Sequence, residues 1–222
     1  MKIAIDGPAG AGKSTVAKAV AKKLNLNYLD TGAMYRAAAY AMIGRGIEPG
    51  DHERVLAALP SLSMQVVYEN GVQKVLIDGK DVTPYIRTPR ISKGASDIAV
   101  IPDLRLKLVE LQREVAGQYD IVMDGRDIGT YVLPDADFKF FITASPRERA
   151  KRRYLELKET SPDADIDEIE REIIARDKTD STREFAPLKQ ADDAVLVDTT
   201  ALDRDQVIGL VSAYITGVKP AT

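Results

Sequence analysis

The segment from Gly7 to Ser14, Gly-Pro-Ala-Gly-Ala-Gly-Lys-Ser, constrains the fold of this chain more than any other. Gly7 and Gly12 are separated by four residues and followed by Lys13 and Ser14, which is the spacing of a phosphate-binding loop. Residues 2–6 before it resemble a short buried strand, and residues 15–24 after it carry apolar side chains at helical spacing. A strand that runs through such a loop into a helix predicts an α/β protein that binds a nucleoside triphosphate.

The residue types in this loop suit the phosphates. Glycines allow consecutive backbone N–H groups to point inward, and the N-terminus of the following helix adds partial positive charge. Lys13 can reach the outer phosphates, and the Ser14 hydroxyl can ligate magnesium. A turn that only joined a strand to a helix would have no use for the Gly-Lys-Ser ending.

Four more strand-like segments follow, and they alternate with helical segments. They cover residues 27–30, 120–124, 138–143 and 194–198. Strands that alternate with helices form parallel sheets with helices on both faces. We therefore predict an α/β fold of the P-loop NTPase type, with a parallel five-stranded sheet flanked by helices.

Two regions depart from this alternation. Residues 64–69, 72–77 and 80–82, joined by Asn-Gly and Asp-Gly turns, predict a small antiparallel insertion of three strands within residues 62–84. It could serve substrate capture or be decoration. Residues 146–180 predict a helical, arginine-rich lid. We expect one domain over residues 1–222, with its core at 1–60, 85–145 and 185–222.

Local signals predict the start of further helices. Thr31 is a plausible cap for a helix that continues to Met42. By contrast, residues 86–97 are polar and only weakly helical. Ser145, with Pro146 and Glu148 after it, predicts the start of the helix that opens the lid.

Composition narrows the class of protein. A net charge of −3 offers no strongly basic surface, so nucleic acid is not an expected partner. No apolar run approaches the ~20 residues that cross a membrane, and no signal peptide is present, so we expect no membrane partner and a cytoplasmic location. The absence of cysteine excludes disulfides and thiolate zinc sites, and the single His52 has no catalytic or metal-ligand pattern around it.

Charged side chains follow the strand at residues 120–124. Asp124, Arg126 and Asp127 emerge at its carboxyl end, where ligands bind in open α/β sheets. Farther along, Arg149, Arg152 and Arg153 share one helix face at i, i+3 and i+4. That face could be solvated, or its arginines could neutralise charge that develops on a transferred phosphoryl group.

Few side chains in this sequence are candidates for a general base, and this favours a phosphate as the acceptor. The oxygen of a phosphate is already anionic at neutral pH, so the reaction needs only alignment of the two phosphates and stabilisation of charge by Mg²⁺, Lys13 and arginines. A sugar or alcohol kinase would need a base such as Asp30 or Asp127, so this class stays open.

Four motifs together resemble one enzyme family. They are Ile5-Asp6-Gly7-Pro8-Ala9-Gly10-Ala11-Gly12-Lys13-Ser14, Leu29-Asp30-Thr31-Gly32-Ala33-Met34-Tyr35-Arg36, Asp124-Gly125-Arg126-Asp127-Ile128-Gly129-Thr130, and Arg176-Asp177 with Asp180 and Arg183. Over nearly the whole chain, in this order and with the insertion, they resemble bacterial cytidylate kinase, a P-loop nucleoside monophosphate kinase. The resemblance implies transfer of the ATP γ-phosphoryl group to CMP or dCMP with Mg²⁺.

The resemblance also implies roles for individual residues. ATP would contact Gly7, Pro8, Ala9, Gly10, Ala11, Gly12, Lys13, Ser14 and Thr15, with Ser14 on the metal. The acceptor would contact Thr31, Arg36, Ser96, Arg105, Arg126, Asp127, Arg176, Asp180 and Arg183. Among these, Arg36 and Arg126 would hold its phosphate, and Ser96, Arg105 and Asp127 would contact the cytosine edge. Catalysis would fall to Lys13, Arg126, Arg149 and Arg153.

Two other functions remain possible from the sequence. One is a kinase for UMP or another small phosphorylated acceptor, although uracil has no amino group to offer Asp127. The other is a nucleotide-dependent switch without phosphoryl transfer, which would not need a second arginine-lined pocket. We expect a monomer whose partners are small nucleotides.

Overall fold

The computed structural model describes residues 1–158 and 164–217. The chain forms two compact units, one from Met1–Leu26 and Val122–Thr222 and the other from Asn27–Ile121. We call them the phosphate-loop unit and the inserted unit. The expected boundaries of a single domain stay a prediction.

The strands and helices follow one another along the chain with short connections. In order they are β1 (Lys2–Asp6), α1 (Lys13–Leu24), β2 (Asn27–Asp30), α2 (Thr31–Gly44), α3 (His52–Ala58), β3 (Met64–Glu69), β4 (Val72–Ile77), β5 (Lys80–Asp81), α4 (Pro89–Ile98), α5 (Pro102–Gln118), β6 (Ile121–Gly125), β7 (Phe138–Thr143), α6 (Pro146–Leu157), α7 (Ile166–Thr182), β8 (Val195–Asp198) and α8 (Arg204–Thr216).

A five-stranded sheet has the order β2-β6-β1-β7-β8. The strands β1, β7 and β8 pair in parallel, with Ile5 opposite Phe140 and Phe140 opposite Val195. The central strands are apolar because both of their faces are covered, and Ile3, Ile5 and Phe140 are almost fully buried. The predicted fold class is confirmed.

Gly7 lets the chain leave β1 against the neighbouring strand. Its φ is +143°, and a Cβ there would lie 1.9 Å from the carbonyl oxygen of Ile142 in β7. Only glycine fits at this position without moving backbone. The phosphate-binding loop can therefore turn directly at the carboxyl end of β1.

The helices α6 and α7 pack on each other through a small apolar cluster of their own. It consists of Ala150, Ile169 and Ile173, with Tyr154 and Leu157 packed around them. Ser145 caps α6, because its Oγ accepts the backbone N–H of Glu148 at 3.2 Å. These helices cover the region predicted as the lid, of which residues 159–163 lie outside the described residues.

The inserted unit contains the predicted antiparallel sheet, β3-β4-β5. Its first turn is Asn70-Gly71, with φ of +53° and +74°, as a two-residue hairpin requires. The register pairs Met64 with Ile77 and Tyr68 with Gln73. The three-stranded insertion is confirmed.

Two local predictions in this unit were wrong. The cap of α2 is Asp30 rather than Thr31, because the Asp30 Oδ1 accepts the backbone N–H of Ala33 at 2.8 Å and Thr31 is already helical. The segment predicted as weakly helical contains α4, a full helix that Thr88 caps and Pro89 begins.

No helix within the described residues is both long and apolar enough to cross a membrane.

Candidate active site

The phosphate-binding loop ends in a buried cation. Lys13 is only 5% exposed, and its Nζ donates to the carbonyl oxygen of Pro8 at 2.6 Å. Burial, and then the positive charge of Arg126, lower the pKa of Lys13 to about 7. Negative charge brought into the loop by phosphates would favour the protonated amine.

Asp6 connects the start of this loop to the segment after β6. Its two carboxylate oxygens accept the backbone N–H groups of Ile128 and Gly129 at 2.8 and 2.7 Å. Burial raises the pKa of Asp6 to about 7, although these two hydrogen bonds oppose the rise. One carboxylate therefore fixes the turn that follows Arg126 and Asp127.

Two hard oxygen donors meet at the end of the loop. The Ser14 Oγ donates to Asp124 Oδ2 at 2.6 Å, and Asp124 is buried at the end of β6. Mg²⁺ prefers hydroxyl, carboxylate, phosphate and water oxygens, and it usually takes one or two ligands from the protein. The chemistry of this pair fits a magnesium ion that is held mainly by the phosphates of a nucleotide.

Arg126 is held by a carboxylate of α7. Its Nε donates to Asp180 Oδ2 at 2.8 Å, and its Nη1 donates to the Gly125 carbonyl oxygen at 3.3 Å. Burial alone would lower the pKa of Arg126, but Asp180 raises it and keeps the guanidinium charged. The same pair holds the pKa of Asp180 below its usual value against the opposing effect of burial.

A second ion pair lies beside the first. The Arg183 Nη2 is 3.4 Å from Asp127 Oδ1, and its Nη1 is 3.8 Å from Asp180 Oδ1. Arg183 also donates twice to the carbonyl oxygen of Ala186. Asp127, Asp180 and Arg183 are all nearly buried, so this network fixes their positions tightly.

The three α6 arginines that were predicted to share one face have different surroundings. Arg149 is 3% exposed, and its guanidinium donates to the carbonyl oxygens of Ala9 and Ala144 and to Asp177 Oδ2 at 2.6 Å. Arg152 donates to Thr199, just after β8. The exposed Arg153 pairs with Glu156 on the same helix. Arg149 is thus fixed directly on the phosphate-binding loop.

A cavity of about 590 Å³ opens beside the loop in the phosphate-loop unit. Residues 10–16 form one wall. The other walls come from Glu148, Arg152, Glu156, Thr199, residues 202–204 and Val207. Its volume is within the range of ~300–1,000 Å³ that is usual for small-molecule sites.

In the inserted unit, two arginines converge on one carboxylate oxygen. Arg36 and Arg87 each donate through Nη2 to Asp30 Oδ2, at 2.8 and 2.9 Å. Asp30 is buried, whereas the side chain of Arg87 is 60% exposed. Two guanidinium groups against one carboxylate leave a net positive charge at this position, which suits the binding of an anion.

The other predicted acceptor residues of this unit lie on three helices. Arg105 of α5 is 1% exposed, donates to the carbonyl oxygen of Ala99 at 3.1 Å and lies 5.4 Å from the centre of the Tyr35 ring. Ser96 is half-buried on α4, and Thr31 is buried at the start of α2. Their contacts with an acceptor stay predictions.

Comparison with known proteins identifies the family. The cytidylate kinase family profile matches residues 3–217. The chain belongs to the cytidylate kinase family. Cytidylate kinase from Lactobacillus johnsonii is 48% identical over 215 residues, which cover 97% of this chain and 94% of that protein. Cytidylate kinase from Caldicellulosiruptor saccharolyticus is 50% identical over 208 residues, covering 94% and 92%.

A solved structure shares the fold. The crystal structure of an uncharacterized protein from Eubacterium ventriosum superposes with a TM-score of 0.56, at 16% identity and with 98% of both chains covered. At this identity the likeness concerns the fold alone.

The residues expected for the cytidylate kinase family fall into both units. The phosphate-loop unit contains Gly7 to Thr15, Arg126, Asp127, Arg149, Arg153, Arg176, Asp180 and Arg183, and the inserted unit contains Thr31, Arg36, Ser96 and Arg105. Arg176 is exposed on α7 but close enough to Lys13 to lower its pKa. Their assigned roles stay predictions.

Sequence reasoning gave no role to Asp6 or Arg87. Asp6 directly precedes the loop, which is a local signal, but its partners Ile128 and Gly129 are 122 and 123 residues away. Arg87 is 57 residues from Asp30, and nothing in its own segment points to that contact.

Proposed function

We propose that this chain transfers the γ-phosphoryl group of ATP to CMP or dCMP and releases CDP or dCDP with ADP. Membership in the cytidylate kinase family makes it a kinase whose acceptor is the phosphate group of a nucleotide. The choice of ATP as donor, the use of Mg²⁺ and the roles of single residues are the parts that we propose.

The observation that carries the proposal is a convergence of cations at the carboxyl ends of β1 and β6. Burial lowers the pKa of Lys13 most, and the positive charges of Arg126 and Arg176 lower it further, while Asp124 and Asp6 oppose them. Such repulsion destabilises an empty site and is relieved by anions. A donor and an acceptor phosphate would supply them.

Each group of residues then has a task. The loop and the adjoining cavity would hold ATP, with Ser14 and Asp124 near the metal. Mg²⁺, when bound, would neutralise phosphate charge during transfer. Lys13, Arg126, Arg149 and Arg153 would stabilise the negative charge on the transferred group, and no base is required because the acceptor oxygen is already anionic.

The acceptor would be recognised at both of its ends. Arg36 and Arg126 would bind its phosphate. Asp127 can accept a hydrogen bond from the cytosine amino group, and Arg105 and Ser96 can donate to the ring acceptors. Arg176, Asp180 and Arg183 would contact the sugar and phosphate.

The test is a comparison of kcat/KM for CMP, dCMP, UMP, AMP and GMP with saturating Mg²⁺-ATP, measured by ADP release. We expect CMP and dCMP to be the best acceptors. Lys13→Ala should nearly abolish turnover and leave the far-ultraviolet circular dichroism spectrum unchanged. The proposal is wrong if another monophosphate is preferred, or if ADP release does not depend on an acceptor.

The cytoplasmic location and the monomeric state stay predictions. Gel filtration with light scattering would test the second.

A further inference from the structure

Two neighbouring side chains of the inserted sheet form hydrogen bonds with the backbone of β2 in the same unit. Tyr68 of β3 and Gln73 of β4 are directly opposite each other in the antiparallel register, so their side chains lie on one face of the sheet. The Tyr68 hydroxyl donates to the Tyr28 carbonyl oxygen at 3.2 Å. Gln73 contacts Asp30, two residues farther along β2.

Gln73 binds the Asp30 peptide on both sides. The backbone N–H of Asp30 donates to Gln73 Oε1 at 2.7 Å, and Gln73 Nε2 donates to the carbonyl oxygen of Asp30 at 3.3 Å. A side-chain amide that uses its donor and its acceptor on one residue fixes both the position and the orientation of that residue. The main chain is held where β2 ends and α2 begins.

The side chain of Asp30 connects this fixed backbone to α2 and to two arginines. Its Oδ1 caps α2 through Ala33, and its Oδ2 accepts from Arg36 and Arg87. Both guanidinium groups lie at the ends of long side chains with several rotatable bonds, and the Arg87 side chain is 60% exposed. The location of the Arg36 guanidinium therefore depends on where Asp30 is held.

We propose that Gln73 is a positioning residue for the acceptor phosphate. It would act through Asp30, which places Arg36 for the phosphate of the incoming nucleotide. This rests on the proposed function, in which Arg36 binds that phosphate. In this proposal the inserted sheet fixes the position of the last residue of β2. Gln73 itself does not contact the nucleotide.

The expected effect is confined to the acceptor. Loss of the amide frees the Asp30 peptide, so Arg36 samples more positions and must be ordered when the acceptor binds. We expect Gln73→Ala to raise the KM for CMP about tenfold, since small displacements of a positioning group weaken phosphate contacts steeply. The KM for ATP should change less than about twofold, because the hydrogen bonds of Gln73 go to Asp30, which is proposed to serve the acceptor rather than ATP.

The experiment measures both KM values for wild type, Gln73→Ala and Gln65→Ala. Gln65 is the matched control, because it is the same residue type on the adjacent strand and is exposed. The inference is supported if only Gln73→Ala raises the KM for CMP while the KM for ATP and the melting temperature stay near wild type. It is overturned if the KM for CMP is unchanged, or if both KM values rise together.

A second variant covers the case in which Gln73→Ala does not fold. Gln73→Glu keeps an oxygen that can accept from the Asp30 N–H but places a second anionic oxygen against the Asp30 carbonyl oxygen, so a rise in the KM for CMP is expected, and no rise would overturn the inference. If wild type fails to phosphorylate CMP, the proposed function and this inference fall together. If wild type is active and the variants keep its KM for CMP, only the inference falls.

Discussion

At the scale of single residues, Asp6 shows how a buried carboxylate can organise two loops. It lies directly before the phosphate-binding loop and accepts backbone N–H groups from Ile128 and Gly129, just after the segment that contains Arg126 and Asp127. Burial raises its pKa from 3.8 to about 7. The folded protein therefore binds a proton at Asp6 more tightly than the unfolded chain does.

This shift predicts a pH dependence of stability. The contribution of Asp6 is fully present below about pH 4 and is lost as the pH rises through about 7, because the unfolded carboxyl gives up its proton first. The melting temperature of wild type minus that of Asp6→Asn should fall between pH 4 and pH 7. Thermal unfolding of both proteins in matched buffers measures the difference. A difference that is constant over this range would contradict the assignment.

Arg126 is the residue for which the proposed function predicts a large effect on acceptor capture. We expect Arg126→Ala to lower kcat/KM for CMP by about 100-fold or more, since removal of one charged donor from a transition state costs about that much. Steady-state kinetics measure it, with Arg90→Ala as the control because Arg90 is exposed and pairs with an exposed Glu48. Unchanged kinetics in Arg126→Ala would remove this residue from the site.

At the scale of elements, two arginines of α6 allow an effect on stability to be distinguished from an effect on catalysis. Arg149 is buried, contacts the phosphate-binding loop at Ala9 and pairs with Asp177, whose Oδ1 has no hydrogen-bond partner among the described residues. Arg153 pairs with Glu156 on the surface. Exposed pairs of this kind contribute little to stability.

The two variants should therefore differ. Arg149→Ala should lower both kcat, by about 100-fold, and the melting temperature, because it leaves Asp177 without its cation. Arg153→Ala should lower kcat without a change in melting temperature. Turnover and thermal unfolding of both variants, measured side by side, provide the test. A lower melting temperature for Arg153→Ala but not for Arg149→Ala would contradict this prediction.

Helix starts show what local sequence can and cannot predict. Thr88-Pro89 is a good start signal for α4, and the helix could have been predicted from it. Asp30 and Thr31 are both common caps and are adjacent. Sequence alone does not choose between them, because the choice depends on Gln73 and Arg87, which fix Asp30 from 43 and 57 residues away.

At the scale of the whole molecule, the sheet, the hairpin and the phosphate-binding loop follow from residues that are close in sequence. Alternating strands and helices, the Asn70-Gly71 turn and the Gly-Lys-Ser ending each predict their own structure. The ion pairs of Arg126 with Asp180 and of Arg183 with Asp127 join distant segments. Such contacts depend on the folded chain, so the sequence could single out these four residues but could not predict the pairs that they form.

The central claim is that this phosphate-binding loop serves transfer to CMP or dCMP rather than to UMP or to water. The most direct measurement follows the label from γ-labelled ATP with Mg²⁺ and either CMP or UMP, with the products separated by chromatography. We predict that the label moves into CDP, and that UMP is labelled far more slowly. Label that appears only as inorganic phosphate, or that enters UMP as fast as CMP, would contradict the account.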